Sequence, residues 1–436
     1  MLGFSILLAR TQIPNQLLTT RSVAKCVARN SSKISKDPTR TSLALHYSCN
    51  VDAEPLERYR KGGYHPTHLG DVFKDGRYKI MHKLGWGSYG TVWLAKDHLL
   101  DRYAAIKLLV AESSSSHNQE TRLLERLLKR PSDHPGKSHI VHLWDHFQHR
   151  GPNGIHLCLV FELLGPSVAF EAERFKGARL PPKLAWEACK QTAKALEYIH
   201  LNKVAHGDLH PGNVVFAISQ TAYQTDSAIM DALGTPDRAD VHAIHGASLG
   251  SQMPSYIVTP TSLPSTPKTQ AGYQFKIIDF GSSHTTDEKP QIHCPLVCRP
   301  PEALFDNEWG TEADVWSLGG TMFEFIVGYP PFDNIIPDRD VLIRNWVSTF
   351  GPLPDKWTRH SPVSRMGSED VDQSNLADWL HDTYFDDDKP VGFAEAHIEM
   401  AGEMLQSIMQ YQPTDRPRLS RILEHPWFEK NPFAAR

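Results

Sequence analysis

The sequence has few cysteines, no long apolar run and little net charge, and each of these absences excludes a class of protein. Its six cysteines are spread over 436 residues, which argues against a disulfide framework and favours free thiols in a reducing compartment. The apolar run Leu2 to Ala9 is too short to cross a bilayer. A formal net charge of -4 gives the whole molecule no general attraction for nucleic acid or an anionic membrane. We therefore predict no direct nucleic-acid binding and no membrane partner.

Acidic residues are also absent from the segment Met1 to Lys36, which is basic and rich in Ser and Thr. This composition is typical of a mitochondrial transit peptide, and equally of a disordered basic tail. Both interpretations stay open. We assign residues 1–62 to an N-terminal extension that is disordered or carries a targeting signal.

One stretch that is present organises the rest of the chain. Residues Ala205 to Asn213 lie between a helix-like segment and an apolar run, and they contain the carboxylate of Asp208 and the carboxamide of Asn213. This spacing suits a loop in which Asp208 meets an attacking hydroxyl while Asn213 holds a metal ion on a nucleotide phosphate. The loop predicts phosphoryl transfer, but it does not distinguish a protein acceptor from a small molecule.

A glycine-rich segment, Gly85 to Val92, lies upstream of this loop. Glycines are needed where a hairpin brings its backbone close to phosphates. The strand-like run that follows carries Lys107, at the distance expected of a lysine that reaches those phosphates. The helix predicted after it offers two partners for this lysine, Glu120 and Glu125. We choose Glu120, because it lies nearer the start of the helix and because the family comparison below aligns it there.

Strand-like runs dominate as far as Glu162, and helical periodicity dominates after it. The sequence thus predicts an α+β, bilobal fold, with a small five-stranded antiparallel lobe and one main helix in residues 63–164, and a mostly helical lobe in residues 165–436. The break at Glu162 to Leu164 is where an adenine ring would bond to exposed backbone groups, with Phe161 at the back of the pocket.

Residues 217–273 are rich in Ser, Thr, Pro and Ala and lack sustained periodicity. Spans of this kind inside a domain are normally functional insertions or disorder. We interpret the segment as an insert whose ends lie close together, with one short helix over Ile229 to Leu233.

Two acidic residues downstream of the insert, Asp279 and Glu302, lie at positions that suggest a function. Asp279 ends an apolar strand, and together with Asn213 it can hold Mg²⁺ across phosphates. Glu302 follows two prolines, and Arg416 lies near the end of the chain. We predict that Glu302 and Arg416 form an ion pair that fixes a substrate platform.

With these motifs in order, the chain resembles a eukaryotic protein kinase, and more narrowly the SR-protein kinase family in its fungal, SRPK-like form. The residues that carry the narrower resemblance are Gly63–Pro66, Leu84–Gly87, His156–Glu162 and the insert between Asn213 and Asp279. The resemblance covers about residues 60 to 430. It implies the protein-kinase fold, ATP and Mg²⁺ as cosubstrates, phosphorylation of serine in Arg/Ser-rich proteins, and a location in the cytoplasm and nucleus. We expect a monomer.

The resemblance also implies roles for individual residues. Lys107 and Glu120 become the phosphate-positioning pair, Asp208 the group that orients and deprotonates the substrate hydroxyl, and Asn213 and Asp279 the metal ligands. The residues that it places around ATP are Gly85, Gly87, Ser88, Gly90, Val92, Ala105, Lys107, Phe161, Glu162 and Leu164.

Two positions depart from the protein-kinase pattern. Gly207 stands where most protein kinases have an arginine that grips a phosphorylated activation segment, which predicts activity without that phosphorylation. His210 stands where they have a lysine that steadies the transferred phosphoryl group. We count His210 among the catalytic residues, although a neutral imidazole carries no charge and stabilises developing charge less well. The loop His206 to Asn213 also resembles that of aminoglycoside and choline kinases, which are active enzymes.

Acidic residues cluster between Glu369 and Asp388. They are Glu369, Asp370, Asp372, Asp378, Asp382, Asp386, Asp387 and Asp388. The cluster is either a solvated loop or a surface that attracts an arginine-rich substrate.

Three functions remain open at this point. A protein kinase is favoured by Glu302, Arg416 and the segment Asp314 to Gly319, because together they suit a peptide-binding platform. A non-catalytic pseudokinase scaffold and a small-molecule kinase are the alternatives, and the latter rests on the catalytic loop alone.

Overall fold

The computed structural model describes residues 47–115, 118–219, 223–244, 248–265, 272–288, 296–306, 309–332, 338–358, 375–385 and 392–433. These residues form a small lobe built on a sheet and a larger, mainly helical lobe, so the α+β, bilobal prediction is confirmed. The predicted targeting segment and most of the acidic cluster lie outside the described residues. Within the described ranges, no helix combines the length and the apolar character that a bilayer span needs.

An antiparallel sheet and one helix make up the small lobe. Its elements are β1 (Tyr47–Ser48), β2 (Val72–Phe73), β3 (Tyr78–Gly87), β4 (Gly90–Asp97), β5 (Arg102–Leu109), α1 (Gln119–Lys129), β6 (Leu143–Gly151) and β7 (Gly154–Glu162). The main sheet has the order β2-β3-β4-β5-β7-β6. It has six strands instead of the predicted five, because β2 pairs with the outer edge of β3. A two-residue strand has no readable periodicity, so local sequence did not reveal it.

Helices form most of the larger lobe. From Leu164 onwards the elements are β8 (Leu164–Ser167), α2 (Val168–Ala172), α3 (Pro182–Leu201), β9 (Val204–Ala205), β10 (Val214–Ala217), α4 (Asp226–Leu233), β11 (Arg238–Asp240), β12 (His242–Ala243), β13 (Tyr256–Val258), β14 (Phe275–Ile277), β15 (His284–Thr285), α5 (Pro301–Phe305), α6 (Thr311–Val327), α7 (Arg339–Phe350), α8 (Asp355–Thr358), α9 (Leu376–Phe385), α10 (Glu395–Ile408), α11 (Leu419–Leu423) and α12 (Pro426–Glu429). The apolar stripe of α3 is buried, including Cys189 and Leu196. Helix α6 buries almost its whole circumference and packs on α3, which places α6 at the centre of this lobe.

The insert has more regular structure than we predicted. Its helix α4 begins at Asp226, earlier than expected, because the Thr225 side chain accepts a hydrogen bond from the Ala228 N–H and caps the helix. Strand β13 pairs with β11, and Val258 joins the hydrophobic core of the small lobe. The insert is therefore packed onto the small lobe, through contacts that its Ser- and Pro-rich composition does not reveal.

The described part of the N-terminal extension, residues 47–62, makes contacts with the rest of the protein that we did not predict. Strand β1 pairs with β12 of the insert, with Tyr47 opposite Ala243. Tyr59 is buried, and its hydroxyl donates to the Glu54 carboxylate. These partners for residues 47–62 come largely from the distant insert, so local composition could not predict these contacts.

In the small lobe, two histidine rings pack edge to face against the ring of His65. The ring of His65 lies 4.7 Å from that of His149 and 5.0 Å from that of His156. Burial, reinforced by the neighbouring histidines His156, His149 and His68, lowers the pKa of His65 to about 3. Burial also lowers the pKa values of His149 and His156. The cluster is therefore neutral in the folded protein at pH 7.

We expect this cluster to make the protein less stable in mild acid. The unfolded chain takes up a proton on His65 below about pH 6.5, whereas the folded chain does so only near pH 3. The stabilisation is thus complete above pH 6.5 and is lost as the pH falls from 6.5 towards 3. From His65 alone, the free energy of unfolding should fall by about 2 kcal/mol between pH 6.5 and 5. Urea unfolding at both pH values measures this change.

The control for this prediction is the variant His65→Gln, which removes the titrating ring. We expect its absolute stability to be lower but its dependence on pH between 6.5 and 5 to be shallower than that of the wild type. An equally steep dependence would show that other groups cause the acid sensitivity.

Candidate functional site

A lysine, a glutamate and an aspartate meet in the cleft between the lobes. The Nζ atom of Lys107, on β5, lies 2.9 Å from Glu120 Oε2 and 2.8 Å from Asp279 Oδ1. Glu120 faces inward because it shares the buried face of α1 with Leu123 and Leu127. Glu125, the other candidate, pairs instead with Lys129 and His146 on the outside.

Charge is retained in this cluster although the Lys107 and Glu120 side chains are largely buried. Burial lowers the pKa of Lys107, but the adjacent Asp279 and Glu120 outweigh it, and the net effect raises the pKa. The Lys107 ammonium, in turn, holds the pKa of Asp279 below its usual range. Burial raises the pKa of Glu120, against the effect of Lys107. An ammonium and an ionised Asp279 carboxylate therefore face the cleft, and both suit a polyphosphate with its cation.

Asp279 is held in this orientation by its backbone. Its φ of 61° and ψ of 75° lie in the left-handed region, which Asp tolerates better than most residues. The next residue, Phe280, is buried with its ring 5.1 Å from that of His206. The aspartate is thus turned towards Lys107 while the phenylalanine anchors the turn.

Asp314 fixes the predicted catalytic loop to helix α6. Its carboxylate accepts the backbone N–H groups of His206 at 2.7 Å and Gly207 at 2.8 Å, and it lies 2.9 Å from His200 Nε2. Burial raises the pKa of Asp314, but the bond from His200 and the other donors lower it overall. His206 Nε2 lies 3.0 Å from the carbonyl oxygen of Ile278. His200 and His206 therefore have structural partners.

The carboxamide of Asn213 bonds back into the same loop. Its Nδ2 donates to the backbone oxygen of Asp208 at 2.8 Å, which leaves the Oδ1 atom as the acceptor end. The carboxamide oxygen of Asn213 and the carboxylate of Asp279 are hard oxygen donors, so they fit Mg²⁺ better than a softer metal. No group of three or more metal-ligating His, Cys, Asp or Glu side chains occurs among the described residues, and phosphate oxygens would have to complete the coordination.

His210 has a defined protonation state. The N–H of Gly212 donates to its Nδ1 at 3.1 Å, so the proton of a neutral ring must sit on Nε2. Burial lowers the pKa of His210, against the effect of the nearby Asp208. The residue is therefore a neutral Nε2–H donor near Asp208 and not a cation.

The three glycines of the Gly85–Gly90 hairpin are required for different reasons. A Cβ atom at Gly90 would lie 2.4 Å from the backbone oxygen of Leu108, so this glycine is required by strand packing. A Cβ atom at Gly85 or Gly87 would meet nothing within 4 Å. Glycine at those two positions leaves room on the cleft side for a ligand.

The other predicted nucleotide-binding positions lie on connected strands. Val92 is opposite Lys107 and Ala105 is opposite Phe161 in the sheet, while Ser88 lies in the hairpin turn between β3 and β4. Glu162 ends β7, and its carboxylate accepts a bond of 2.6 Å from Lys276. Leu164 begins β8, which already pairs with β10 of the larger lobe. The predicted adenine-binding segment, Glu162 to Leu164, therefore connects the main sheet of the small lobe to the sheet that contains β8 and β10.

No room exists for a side chain at Gly207. Its φ is 82°, and a Cβ atom would lie 2.6 Å from the Ser282 backbone oxygen and 2.8 Å from Cη2 of Trp309. The Trp309 ring also packs against His284, with 4.7 Å between centroids. The tryptophan thus occupies space next to the position where other protein kinases have the arginine.

Glu288 joins helix α1 to the segment that follows Asp279. Its carboxylate accepts bonds from Gln119 Nε2 at 3.2 Å, from Arg122 at 2.7 Å and from the Thr285 N–H at 2.9 Å. Gln119 Nε2 also donates to the Ser283 backbone oxygen at 2.8 Å. Sequence reasoning missed Glu288, Gln119 and Arg122, because no motif marks them and the partners are far apart in the chain.

Glu302 and Arg416 form the predicted ion pair. Arg416 Nη1 and Nη2 each lie 2.7 Å from one carboxylate oxygen of Glu302, and both side chains are buried. Arg416 also donates to the backbone oxygens of Gln410, Tyr411 and Glu312. The prediction of this pair is confirmed.

Comparison with known proteins identifies the family. The protein kinase domain model matches residues 78–231 and 267–428. A serine/threonine protein kinase of Aspergillus fumigatus is 25% identical over 410 residues, which cover 89% of this chain and 95% of that protein. The serine/threonine-protein kinase SRPK of Physarum polycephalum is 28% identical over 412 residues, covering 87% of this chain and 92% of that protein.

Another relative is more similar in sequence, but over a shorter part of the chain. Protein kinase dsk1 of Schizosaccharomyces pombe is 39% identical over 177 residues, 39% of this chain and 32% of that protein. The gap in the family match, between residues 231 and 267, falls inside the insert. The chain therefore belongs to the protein kinase family, as an SRPK-like serine/threonine protein kinase.

Proposed function

We propose that this kinase transfers the γ-phosphate of Mg-ATP to serine in Arg/Ser-rich proteins. The observation that carries the proposal is the cluster of Lys107, Glu120 and Asp279 in a cleft bordered by the loop of Asp208 and Asn213. A peptide as acceptor is supported by the buried Glu302–Arg416 pair. The Arg/Ser-rich substrate class is supported by the SRPK-like relatives.

Each group in the cleft has a task that fits its chemistry. Lys107, steadied by Glu120, would bind phosphate oxygens, while Asn213 and Asp279 would hold Mg²⁺, which neutralises charge on the phosphates. Asp208 orients the serine hydroxyl and accepts its proton. His210 donates its Nε2–H to the transferred phosphoryl group, as one hydrogen bond without a full positive charge.

The remaining ATP contacts follow from the sheet and the crossing between lobes. The residues proposed to surround the nucleotide are Gly85, Gly87, Ser88, Gly90, Val92, Ala105, Phe161, Glu162 and Leu164. Of the acidic cluster, Asp378 and Asp382 are described, and both lie on helix α9. We propose that such exposed acids attract arginine side chains of the substrate. A monomeric state and a location in the cytoplasm and nucleus stay predictions, as does mitochondrial targeting by residues 1–36.

The proposal is tested by phosphate transfer from labelled Mg-ATP to an Arg-Ser repeat peptide, to choline and to an aminoglycoside. We expect transfer to the peptide alone, with Asp208→Ala as the blank. Transfer to choline or the aminoglycoside would favour a small-molecule kinase. No transfer to any acceptor would favour a pseudokinase scaffold.

We further propose that activity does not depend on phosphorylation of the activation segment. Gly207 leaves no side chain to bind a phosphate there, and the Glu288 carboxylate already connects that segment to helix α1. Kinase treated with phosphatase should therefore keep its activity within about twofold. Glu288→Ala should lower kcat roughly tenfold, because it removes charge-assisted bonds that hold Glu120 and its helix in place.

Glu125→Ala is the matched control, since Glu125 lies on the same helix in an exposed pair with Lys129. Its kcat should stay close to that of the wild type. A large loss of activity after phosphatase treatment would contradict the proposal.

A further inference from the structure

A buried tyrosine outside the cleft is bonded to the glycine-rich hairpin. Tyr64 is 1% exposed, and its hydroxyl donates to the backbone oxygen of Gly87 at 2.8 Å. Gly87 is one of the two glycines of this hairpin, with Gly85, at which a Cβ atom would meet nothing within 4 Å. We infer that Tyr64 is a positioning residue, which holds the hairpin at the height needed to contact the ATP phosphates. The inference rests on the proposed ATP site.

The hairpin is held at a second point by the same buried cluster. The Val110 N–H donates to the backbone oxygen of Tyr89 at 2.9 Å, and Val110 is buried together with Tyr64. Two backbone oxygens near the turn are thus bonded from one side. Such bonds restrict a hairpin whose glycines would otherwise leave it free to move.

Tyr64 itself has little freedom. Its ring packs edge-on against Tyr59, with 5.5 Å between centroids, and the Arg58 guanidinium lies 4.8 Å from its ring centre. Just before it, a Cβ atom at Gly63 would lie 1.9 Å from the Arg58 backbone oxygen, so this turn accepts only glycine. Burial raises the pKa of Tyr64 to about 12, which keeps the hydroxyl protonated as a donor.

Asn153 connects Tyr64 to the insert. Its Nδ2 donates to the Tyr64 backbone oxygen at 2.6 Å and to the Gln252 backbone oxygen at 2.9 Å. Met253 and Ile257 of the insert complete the hydrophobic cluster around Tyr64. Residues 47–77 and residues 232–266 of the insert lie outside the kinase-family match. Two segments that are not part of the common protein kinase domain therefore contribute to the cluster around Tyr64, and Tyr64 bonds to the hairpin proposed to bind the ATP phosphates.

The ring and the hydroxyl of Tyr64 have separable tasks. The ring fills the cluster, which is a purely structural role, whereas the hydroxyl bonds to the hairpin. Tyr64→Phe keeps the ring and removes the bond. We expect it to weaken Mg-ATP binding, and to raise the KM for ATP, by about fivefold, while the KM for the peptide stays within twofold of wild type. A general loss of folding would not produce this difference between the two KM values.

Tyr59→Phe is the matched control, because Tyr59 lies in the same cluster but donates to Glu54 and not to the hairpin. Its affinity for Mg-ATP should equal that of the wild type, even where its melting temperature is lower. Asn153→Ala provides a second variant, since it frees the backbone of Tyr64, and it should raise the KM for ATP in the same direction. Calorimetric titration with Mg-ATP measures binding without any acceptor.

The outcomes separate this inference from the proposed function. Equal Mg-ATP affinity in Tyr64→Phe and the wild type would overturn the inference alone, as would an equal loss in Tyr59→Phe. Failure of the wild type to bind Mg-ATP would overturn the proposed function and the inference with it. Weaker ATP binding in Tyr64→Phe and Asn153→Ala, but not in Tyr59→Phe, would support the inference.

Discussion

Replacing Asp208 by asparagine is expected to lower kcat for peptide phosphorylation roughly 1000-fold while the affinity for Mg-ATP stays within twofold. Mg-ATP affinity should be kept because of the hydrogen bond between Asn213 and Asp208 within the loop. Asn213 donates to the backbone oxygen of Asp208 and not to its carboxylate, so the substitution leaves the proposed metal ligand in place. Asp314 likewise holds the loop through the backbone N–H groups of His206 and Gly207. Only the proton acceptor is lost.

Single-turnover phosphorylation of the Arg-Ser peptide, with calorimetric titration of Mg-ATP alongside it, separates chemistry from nucleotide binding. Asp101→Asn is the matched control, because Asp101 is an exposed acid whose carboxylate pairs with Lys96. It should leave both quantities unchanged. A kcat above about a tenth of the wild-type value in Asp208→Asn would refute the role of Asp208 as the base.

Replacing Arg416 by leucine is expected to destabilise the fold by about 3 to 5 kcal/mol. The guanidinium makes two bonds of 2.7 Å to Glu302 and further bonds to backbone oxygens. Its removal would leave the Glu302 carboxylate buried without its partner charge. The loss of the desolvated charge pair, more than the loss of packing, sets the size of this effect.

The double variant Glu302→Leu and Arg416→Leu distinguishes this cause from a packing defect. It should recover a large part of the stability that Arg416→Leu loses, because no unpaired charge remains buried. Arg421→Leu, which breaks an exposed pair with Glu424, should change the free energy of unfolding by no more than about 0.5 kcal/mol. Urea unfolding measures all three. A double variant as unstable as Arg416→Leu would contradict this explanation.

Some features of the site could be derived from short stretches of sequence, because their residues act within one turn or one hairpin. Gly85 to Gly90 belong to a single β-hairpin, and Asp208 and Asn213 share a single loop, so their spacing alone carries their geometry. The burial of α3 was predictable for a similar reason, since a 3.6-residue period places its apolar side chains on one face.

Other features could not be derived in this way. Residues 1–62 were assigned to an extension that is disordered or carries a targeting signal, and the insert was expected to contain one short helix. Each segment forms a strand that pairs with the other, with Tyr47 opposite Ala243. A two-residue strand is stable only beside its partner, and that partner is almost two hundred positions away. Neither segment carries a periodic pattern that local analysis can detect.

The amino-acid sequence by itself indicated the kind of chemistry: it places a lysine, the proposed base, two proposed metal ligands and a glycine-rich hairpin at spacings typical of phosphoryl transfer. Only the tertiary structure decided that Glu120 and not Glu125 faces Lys107, that Trp309 lies beside Gly207, that Glu288 connects the activation segment to α1, and that Tyr64 bonds to Gly87. The physical reason is distance along the chain. Spacing within a turn or a helix fixes which neighbours can meet, whereas contacts between remote segments form only when whole faces pack together.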